Sequence, residues 1–446
     1  MNFPRLLASA AFRSWYAFRG RQYYQRLRFL EQSQWWSLEQ IRDFQWQELR
    51  HLLKTALDSV PYYKQKYAGI RYEDVRSPED FARLPILTRE EVRQYREQLR
   101  STTLAGNPHL HATGGSSGEP VRFYRTIESY DWRTAAKTRA YSWSGLKPGV
   151  SSLHLWGGPV GTPPWSARLK SDIDHWIRNE RIISTFLQSG ELWRQIHEEA
   201  LRRKPEYLVG YVSSLVRFAR FLEEGNLQRP RFHAAVAAAE PLTDTQRSYI
   251  EGVLDAPVFN TYGSREFMSI AGECENHRMH ITAENLVVEA GGADGSGVAS
   301  VLVSDLHNYG TVFLRYSIGD LGRLSSDTCS CGRGLPLLDA IVGRQNEVLR
   351  LADGRELNAL IFPHTLKEVP EILEYQVVQI SRENIVLRLV TNPGLTEQGR
   401  SLIDRELRKV LGSTRYSIEL VKEIEKGRSG KQPFVVSLLK QPGASV

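Results

Sequence analysis

Thr113 to Phe123 reads T-G-G-S-S-G-E-P-V-R-F, and its residue types suit a phosphate. Glycine reaches backbone conformations closed to other residues and lets a ligand approach closely. Successive backbone N–H groups in such a turn form a concave anion site, and Thr113, Ser116 and Ser117 add hydroxyl donors. The other reading of Gly114, Gly115, Ser116, Ser117 and Gly118 is a Gly/Ser surface turn. The stretch is neither G-x-x-x-x-G-K-[ST] nor G-x-G-x-x-G, so neither common nucleotide fingerprint applies. A second chemistry comes from the cysteines. Cys274 lies in C-E-N-H-R-M-H, and Cys329 and Cys331 in C-S-C-G-R-G-L-P. Thiolates with a histidine suit tetrahedral Zn²⁺, with His277 and His280 both in reach of the argument. The alternative is three buried free thiols. No G-x-S-x-G elbow occurs, so nothing points to a serine hydrolase.

The elements around these residues read as α/β. The 446 residues are 41% hydrophobic and 24% charged, which fits a globular chain of two or three domains and excludes disorder as the main state. Residues 1 to about 66 read as helical, with Ser37 and Gln40 forming a capping box and Pro61 breaking the helix. Thr88 is expected to cap a helix ahead of Glu90 and Glu91. Beyond the Gly/Ser stretch, strands at 151–158, 182–187, 206–211, 233–240 and 257–263 alternate with helices, the pattern of a parallel sheet. Residues 286–324 switch to strands with short connections. From 343 onward the order is strand, helix, strand, strand, helix, strand, a small α+β unit.

Charge and cysteine usage bound the partners. Net charge is +7, and the segment from Arg5 to Arg28 holds six arginines and no acidic residue. That basic, aromatic segment suits peripheral contact with acidic lipid, or a helix packed on its own protein with arginines outward. No zinc-finger, homeodomain or RRM signature accompanies the charge, so nucleic acid is not expected as a partner. No run of 18 apolar residues and no signal-peptide pattern is present, and three cysteines argue for a reducing compartment; a cytoplasmic location is the expectation. Oligomeric state is not readable.

The Gly/Ser stretch resembles the Ser/Thr/Gly-rich phosphate loop of adenylate-forming enzymes, the acyl-CoA ligase superfamily. Its flank, H-A-T-G-G-S-S-G-E-P, is most similar to the branch of phenylacetate–CoA ligases and CapK-type proteins. Further motifs follow in that family's order. Ala239-Glu240-Pro241-Leu242 resembles the A-E-P-L segment lining the adenine pocket. Tyr262-Gly263-Ser264-Arg265-Glu266 resembles Y-G-x-x-E, whose aromatic ring packs on adenine and whose glutamate holds Mg²⁺. Arg315-Tyr316 to Gly319-Asp320 resembles R-Y-x-x-G-D, whose aspartate takes the ribose hydroxyls. Gly343-Arg344 matches the domain junction, and Gly430-Lys431 the lysine motif of the mobile small domain. The likeness runs from about residue 40 to 436. It departs at the phosphate loop, which has Arg122 and no lysine after the proline, and at the junction, where Asn346 and Glu347 stand in place of two acidic residues.

The resemblance implies a large adenylation domain over 1–342, opening with a helical segment to about 100, and a small mobile domain over 343–446. It implies ATP, Mg²⁺ and coenzyme A as cofactors, with Lys431, Glu266 and Arg344 in catalysis. It implies a structural zinc on Cys274, His280, Cys329 and Cys331. The activity implied joins a carboxylic acid to AMP and hands the acyl group to an acceptor such as coenzyme A. CapK-like relatives point to capsular polysaccharide building, with acylation of a sugar or amine, or a non-catalytic scaffold, as alternatives. The acyl pocket is expected around Trp143, Trp156, Tyr211 and Val236.

Overall fold

The computed structural model describes residue 14 and residues 21–439, apart from 105, 114–119, 158–164, 186–188, 293–296, 345–347, 360, 367 and 427–431. One mixed sheet of eleven strands organises the large part of the molecule. Its strands are β1 (Ser152–Trp156), β2 (Glu180–Ser184), β3 (Tyr207–Tyr211), β4 (Ala234–Ala238), β5 (Val258–Tyr262), β6 (Ala271–Glu273), β7 (Met279–Ile281), β8 (Leu286–Gly291), β9 (Ala299–Asp305), β10 (Tyr316–Ser325) and β11 (Leu337–Arg344), in the order β8-β9-β10-β11-β7-β6-β5-β4-β3-β1-β2. From β2 to β5 the pairings are parallel, and from β5 to β8 antiparallel. The expected parallel portion and β-rich portion are therefore two halves of one sheet, joined through the short strands β6 and β7.

The sequence explains the halves. β4 is A-A-V-A-A and buried along its whole length. Small side chains on both faces let helices pack closely from either side, as a central parallel strand requires. On one face lie α2 (Val212–Glu224) and α3 (Asp244–Leu254), whose Leu215, Phe218, Leu222, Ile250 and Val253 cover Leu208, Ala235, Ala237 and Val258; on the other, Tyr141, Leu146 and Val150 pack with Val209, Ala234 and Val236. Each such side chain contributes roughly 1.5–3 kcal/mol by leaving water. On the antiparallel half, the helix Leu38–Ser59 brings Leu49, Leu52 and Leu53 against Val301, Val303, Phe313 and Tyr316. The capping box of Ser37 and Gln40 forms as expected, and so does one between Thr88 and Glu91. Pro61 ends that helix but also opens the next one, Pro61–Lys66, at the position where its missing N–H costs nothing.

Helix α1 (Ile127–Ser142) follows the Gly/Ser stretch and lies buried against the sheet. Two fully buried ion pairs fasten it there, Arg133 to Asp305 and Arg139 to Glu284. Ser33 donates a further hydrogen bond to Glu284. The helix Tyr23–Ser33 packs on α1, with Arg21 paired to Asp131 and Arg26 to Glu128. The described part of the basic N-terminal segment thus spends these charges on its own protein. No helix among the described residues is long and apolar enough to cross a membrane.

The remaining chain forms a four-stranded sheet, β12 (Ile372–Gln379), β13 (Asn384–Thr391), β14 (Arg415–Leu420) and β15 (Val435–Ser437), ordered β14-β13-β12-β15 and covered by α4 (Glu397–Leu411). Ile403, Leu407 and Leu411 of α4 pack on Val377, Ile385, Leu387 and Leu389. A hairpin of Val348–Arg350 with Glu356–Asn358 precedes it; its second strand and β15 are two strands more than the sequence pattern predicts.

Candidate active site and metal centre

Parallel strands present their carboxyl ends on one side of a sheet, and ligands of α/β proteins bind there. β1 ends at Trp156, β3 at Tyr211, β4 just before Ala239-Glu240, and β5 at Tyr262. Four of the residue groups singled out in the sequence are gathered at this edge. Tyr262 donates its hydroxyl proton to Asp320 Oδ2 at 2.7 Å. Burial and the Asp320 charge both push the Tyr262 phenol well above its ordinary range, so it stays a donor. Arg344 stands opposite Asp320 in the β10–β11 register, and its Nε lies 3.6 Å from Asp320 Oδ1. Asp320 is thus fixed by a phenol on one oxygen and a guanidinium on the other. Glu266 is 3% exposed, and Tyr316 donates to its Oε1 at 3.4 Å.

The backbone between these residues is shaped for closeness. A Cβ on Gly263 would sit 1.9 Å from the Met268 carbonyl oxygen, so only glycine fits the turn that carries Glu266. Ser264 closes that turn: its hydroxyl accepts from Phe267 N–H at 3.2 Å and its carbonyl from Met268 N–H at 2.7 Å. Ala239, Met268 and Arg315 all take left-handed φ, of 68°, 68° and 48°. Such conformations disfavour β-carbons and concentrate at functional sites.

Of the Gly/Ser loop, Gly114 to Gly118 lie outside the described residues, but its neck is described. Thr113 N–H donates to the Val121 carbonyl at 2.8 Å, and Val121 N–H returns to Thr113 Oγ1 at 2.9 Å. Arg89 Nη2 reaches the same hydroxyl at 3.3 Å. Lys431, Asn346 and Glu347 also fall outside the described residues.

Glu240 follows β4 at this edge and has both carboxylate oxygens engaged. Its Oε2 accepts from Ser213 N–H and its Oε1 from Gln432 N–H, both at 2.8 Å. Its oxygens therefore serve backbone amides of two separate elements, and Pro241 beside it is exposed. Trp156 and Tyr211 meet at 4.7 Å between ring centroids, and Val236 is buried in the same cluster. Trp143 is not with them. It donates to Gln34 and packs edge-on to His280 at 5.6 Å, in the core behind the cysteines.

That cysteine region is assembled by three elements. Cys274 follows β6, His280 lies on β7, and Cys329 and Cys331 occupy the connection between β10 and β11. Their four ligand atoms all lie within 4.8 Å of one another. Cys274 and Cys329 sulfurs are 3.7 Å apart, and Cys331 Sγ is 3.3 Å from His280 Nε2. With bonds of about 2.3 Å to sulfur and about 2.0 Å to nitrogen, a tetrahedral Zn²⁺ site has edges of roughly 3.8 Å (S–S) and 3.5 Å (S–N). The donor set fits such an ion in type and spacing. The second shell fits as well. His280 Nδ1 faces the Leu335 carbonyl at 3.4 Å, leaving Nε2 for a metal. Burial pulls His280 down to about 4, so its ring is neutral. Although burial raises the Cys331 thiol, hydrogen bonds and charge from Arg333 bring it below its ordinary value. His277 turns to Arg247 at 3.1 Å and Glu273 at 3.4 Å, and is absent from the cluster.

Comparison with known proteins agrees with this geometry. Residues 349–438 match the CapK C-terminal domain model. Protein CapK of Staphylococcus aureus is 24% identical over 80% of this chain and 80% of its own. A phenylacetate-coenzyme A ligase of Thermus thermophilus is 23% identical over 83% of this chain and 86% of its own. Among solved structures, 2-hydroxyisobutyryl-CoA ligase in its postadenylation state, with R3-HIB-AMP bound, superposes with a TM-score of 0.68 at 19% identity, over 87% of this chain and 88% of that one. The same protein in its thioesterification state, with 2-HIB-AMP and CoA, gives 0.58 at 19% identity, over 90% of each chain. Sequence, C-terminal domain and fold all place the likeness of this chain in the phenylacetate–CoA ligase and CapK branch of the adenylate-forming proteins.

Proposed function

We propose that this chain is an ATP-dependent, AMP-forming acid ligase. A carboxylate oxygen of the substrate attacks the α-phosphorus of ATP, the bond to pyrophosphate breaks, and an acyl-adenylate forms. A nucleophile then attacks the acyl carbon and AMP leaves. The observation that carries the reading is the Tyr262–Asp320–Arg344 cluster beside Glu266 at the carboxyl edge of the parallel strands. Asp320 is held rigid with acceptor capacity for a ribose diol, and the Tyr262 ring offers a face to a base. Displacement at phosphorus is catalysed chiefly by positioning and charge neutralisation, which is what such a site supplies. We keep the division into an adenylation domain over 1–342 and a mobile domain over 343–446 as part of this reading.

Glu266 is the residue suited to a Mg²⁺ ion, being a buried carboxylate with a hard oxygen. That ion would neutralise phosphate charge. Glu266→Gln is expected to lower turnover roughly 10²-fold while ATP affinity changes little, because one charged oxygen ligand is lost. Titrating Mg²⁺ against turnover checks this. An unchanged defect at high Mg²⁺ together with outright loss of ATP binding would sink the assignment.

Coenzyme A is the acceptor that the ligase relatives favour. The second acceptor class in this reading is the hydroxyl or amine of a sugar, which the resemblance to CapK-type proteins suggests by name alone. ATP–pyrophosphate exchange across a panel of carboxylic acids tests the first half-reaction. Offering the resulting adenylate to coenzyme A or to amino and neutral sugars then separates the two acceptors.

A further inference from the structure

A second concavity lies toward the opposite edge of the parallel strands. β1 begins at Ser152 and β2 at Glu180, and they end at Trp156 and Ser184. Four strand steps of about 3.3 Å put Ser152 roughly 13 Å from Trp156 and the catalytic edge. Between the starts of these strands, α1 and the turn at 146–150 is a cavity of about 50 Å³. About 10–15 Å³ suffices for one water, so the space admits a small oxyanion. Hydrogen bonds fix its walls. Gly149 takes a left-handed φ of 84°, and its carbonyl accepts from Asn179 Nδ2 at 3.2 Å. Ser152 N–H donates to the Asn179 carbonyl at 3.1 Å, and Ser152 Oγ meets His154 Nε2 at 3.0 Å. On the α1 side, Tyr23 donates to Thr138 Oγ1 at 3.0 Å.

Charge on the lining is uneven. Lys137, Lys147 and Arg178 stand against one carboxylate, Glu180. Asp174 pairs with Arg178 at 3.1 Å, and His175 approaches Glu180 at 3.3 Å. Burial alone would raise the Glu180 carboxyl, but the His175 hydrogen bond and the charges of Arg178 and Lys137 hold it well below its ordinary range. Lys137 lies 5.3 Å from the Tyr141 ring centroid, and neither it nor Lys147 has a carboxylate partner of its own among the described residues. Burial pulls His154 down to about 4, so the floor is a neutral ring and a hydroxyl. We propose that this cavity is a second ligand site, for a phosphate group, held by Lys137 from α1, Lys147 from the turn and Arg178 from the link into β2. The donors arrive from three walls, and a phosphate offers strong acceptor oxygens in several directions. A planar carboxylate presents its acceptors in one plane, and a halide carries a single charge. Bonds from ammonium and guanidinium groups to phosphate are charge-assisted. An occupied site ties α1, the helix that follows the Gly/Ser stretch, to the link into β2. The site stands apart from the catalytic edge and does not depend on the ligase reading.

The test is inorganic phosphate titrated into the full-length protein at constant ionic strength, with chloride as the balancing ion and melting temperature as the readout. Wild type is expected to show a saturable rise of about 2–4 °C, because a ligand of the folded state stabilises it by mass action. Lys137→Met and Lys147→Met keep the aliphatic stems and should each raise the apparent Kd about tenfold, through loss of one charge-assisted contact. Glu180→Gln removes the one competing carboxylate and should lower the apparent Kd, a change of sign that general loosening of the fold does not produce. Lys147 is exposed, so its variant remains informative should the change at half-buried Lys137 disturb folding. Glycerol phosphate in a parallel titration separates the sources. A response to it as well means that phosphomonoesters are accepted, a response to phosphate alone means the free ion, and either supports the site. Absence of a saturable rise in the wild type would overturn the proposal. So would the same apparent Kd in the wild type and both lysine variants, which would put the anion elsewhere, such as the Gly/Ser stretch. Pyrophosphate exchange does not enter the readout, so the ligase reading stands or falls separately.

Discussion

Lys431→Ala is expected to slow adenylate formation by roughly 10²–10³-fold, the effect of removing one preorganised charge from a developing phosphate transition state. Transfer of the acyl group from preformed adenylate should be largely intact. The asymmetry follows from where the lysine sits in the chain. It directly precedes Gln432, whose amide is held on Glu240 at the edge where Tyr262 and Asp320 meet. A lysine ammonium is a compact point charge on a flexible stem, so it can approach phosphate oxygens and leave with its domain. The two half-reactions are measured separately, by pyrophosphate exchange and by mixing purified adenylate with the acceptor. Equal losses in both would count against a lysine that serves only one domain orientation.

Loss of the metal should have the largest effect on stability. We expect one zinc per chain on Cys274, His280, Cys329 and Cys331, measurable by metal analysis after dialysis. Cys329→Ser should lower metal content and melting temperature together, because ligation and folding are coupled. A loss of about 3 kcal/mol corresponds to a shift of roughly 6–12 °C at about 2–4 °C per kcal/mol. All four positions are protein ligands, so the site is closed and structural in character. It joins β6 and β7 to the β10–β11 connection, where Arg333 pairs with Glu275 at 2.8 Å; that connection in turn docks on the link between the N-terminal helices, with Arg333 over Trp35 at 4.8 Å and Gly334 N–H donating to the Gln34 carbonyl at 3.1 Å. Chelation should therefore loosen the sheet at the seam of its parallel and antiparallel halves. Zinc-free wild-type protein of full stability would mean three ordinary thiols, and the ligase reading would stand.

Much of this architecture was legible before any coordinates. Local signals carried it: the caps at Ser37 and Thr88, the short apolar runs of β1–β5 alternating with helices, and the ordered motifs at 239–242, 262–266 and 315–320. What was hidden is non-local. The strands β6 and β7 have three residues each, too short to show any period, yet they fuse the two halves of the sheet. Trp143 has the residue type of an acyl-pocket wall, and only the path of α1 sends it to His280 instead. Glu240 lies in a recognisable motif, but nothing local reveals that its acceptor capacity is divided between Ser213 and Gln432, the latter 192 positions away. Nor does the sequence show that His277 sits in the turn before β7 and faces Arg247 and Glu273, while His280 is buried beside Cys331.

The two ion pairs under α1 set a timetable for synthesis. Arg133 waits for Asp305, 172 residues downstream, and Arg139 for Glu284, 145 residues downstream. At about 5–20 residues per second, a ribosome needs roughly 10–30 s to deliver the first of these partners after its arginine. A buried charge without its partner is strongly unfavourable, so α1 cannot settle against the sheet during that interval. The nascent chain must hold its N-terminal half in the open until β8 and β9 emerge; a C-terminal truncation before residue 305 strands Arg133, and one before residue 284 strands Arg139 as well. Half of this protein is thus made early but finished late, which sets how long it depends on the cell's holding machinery.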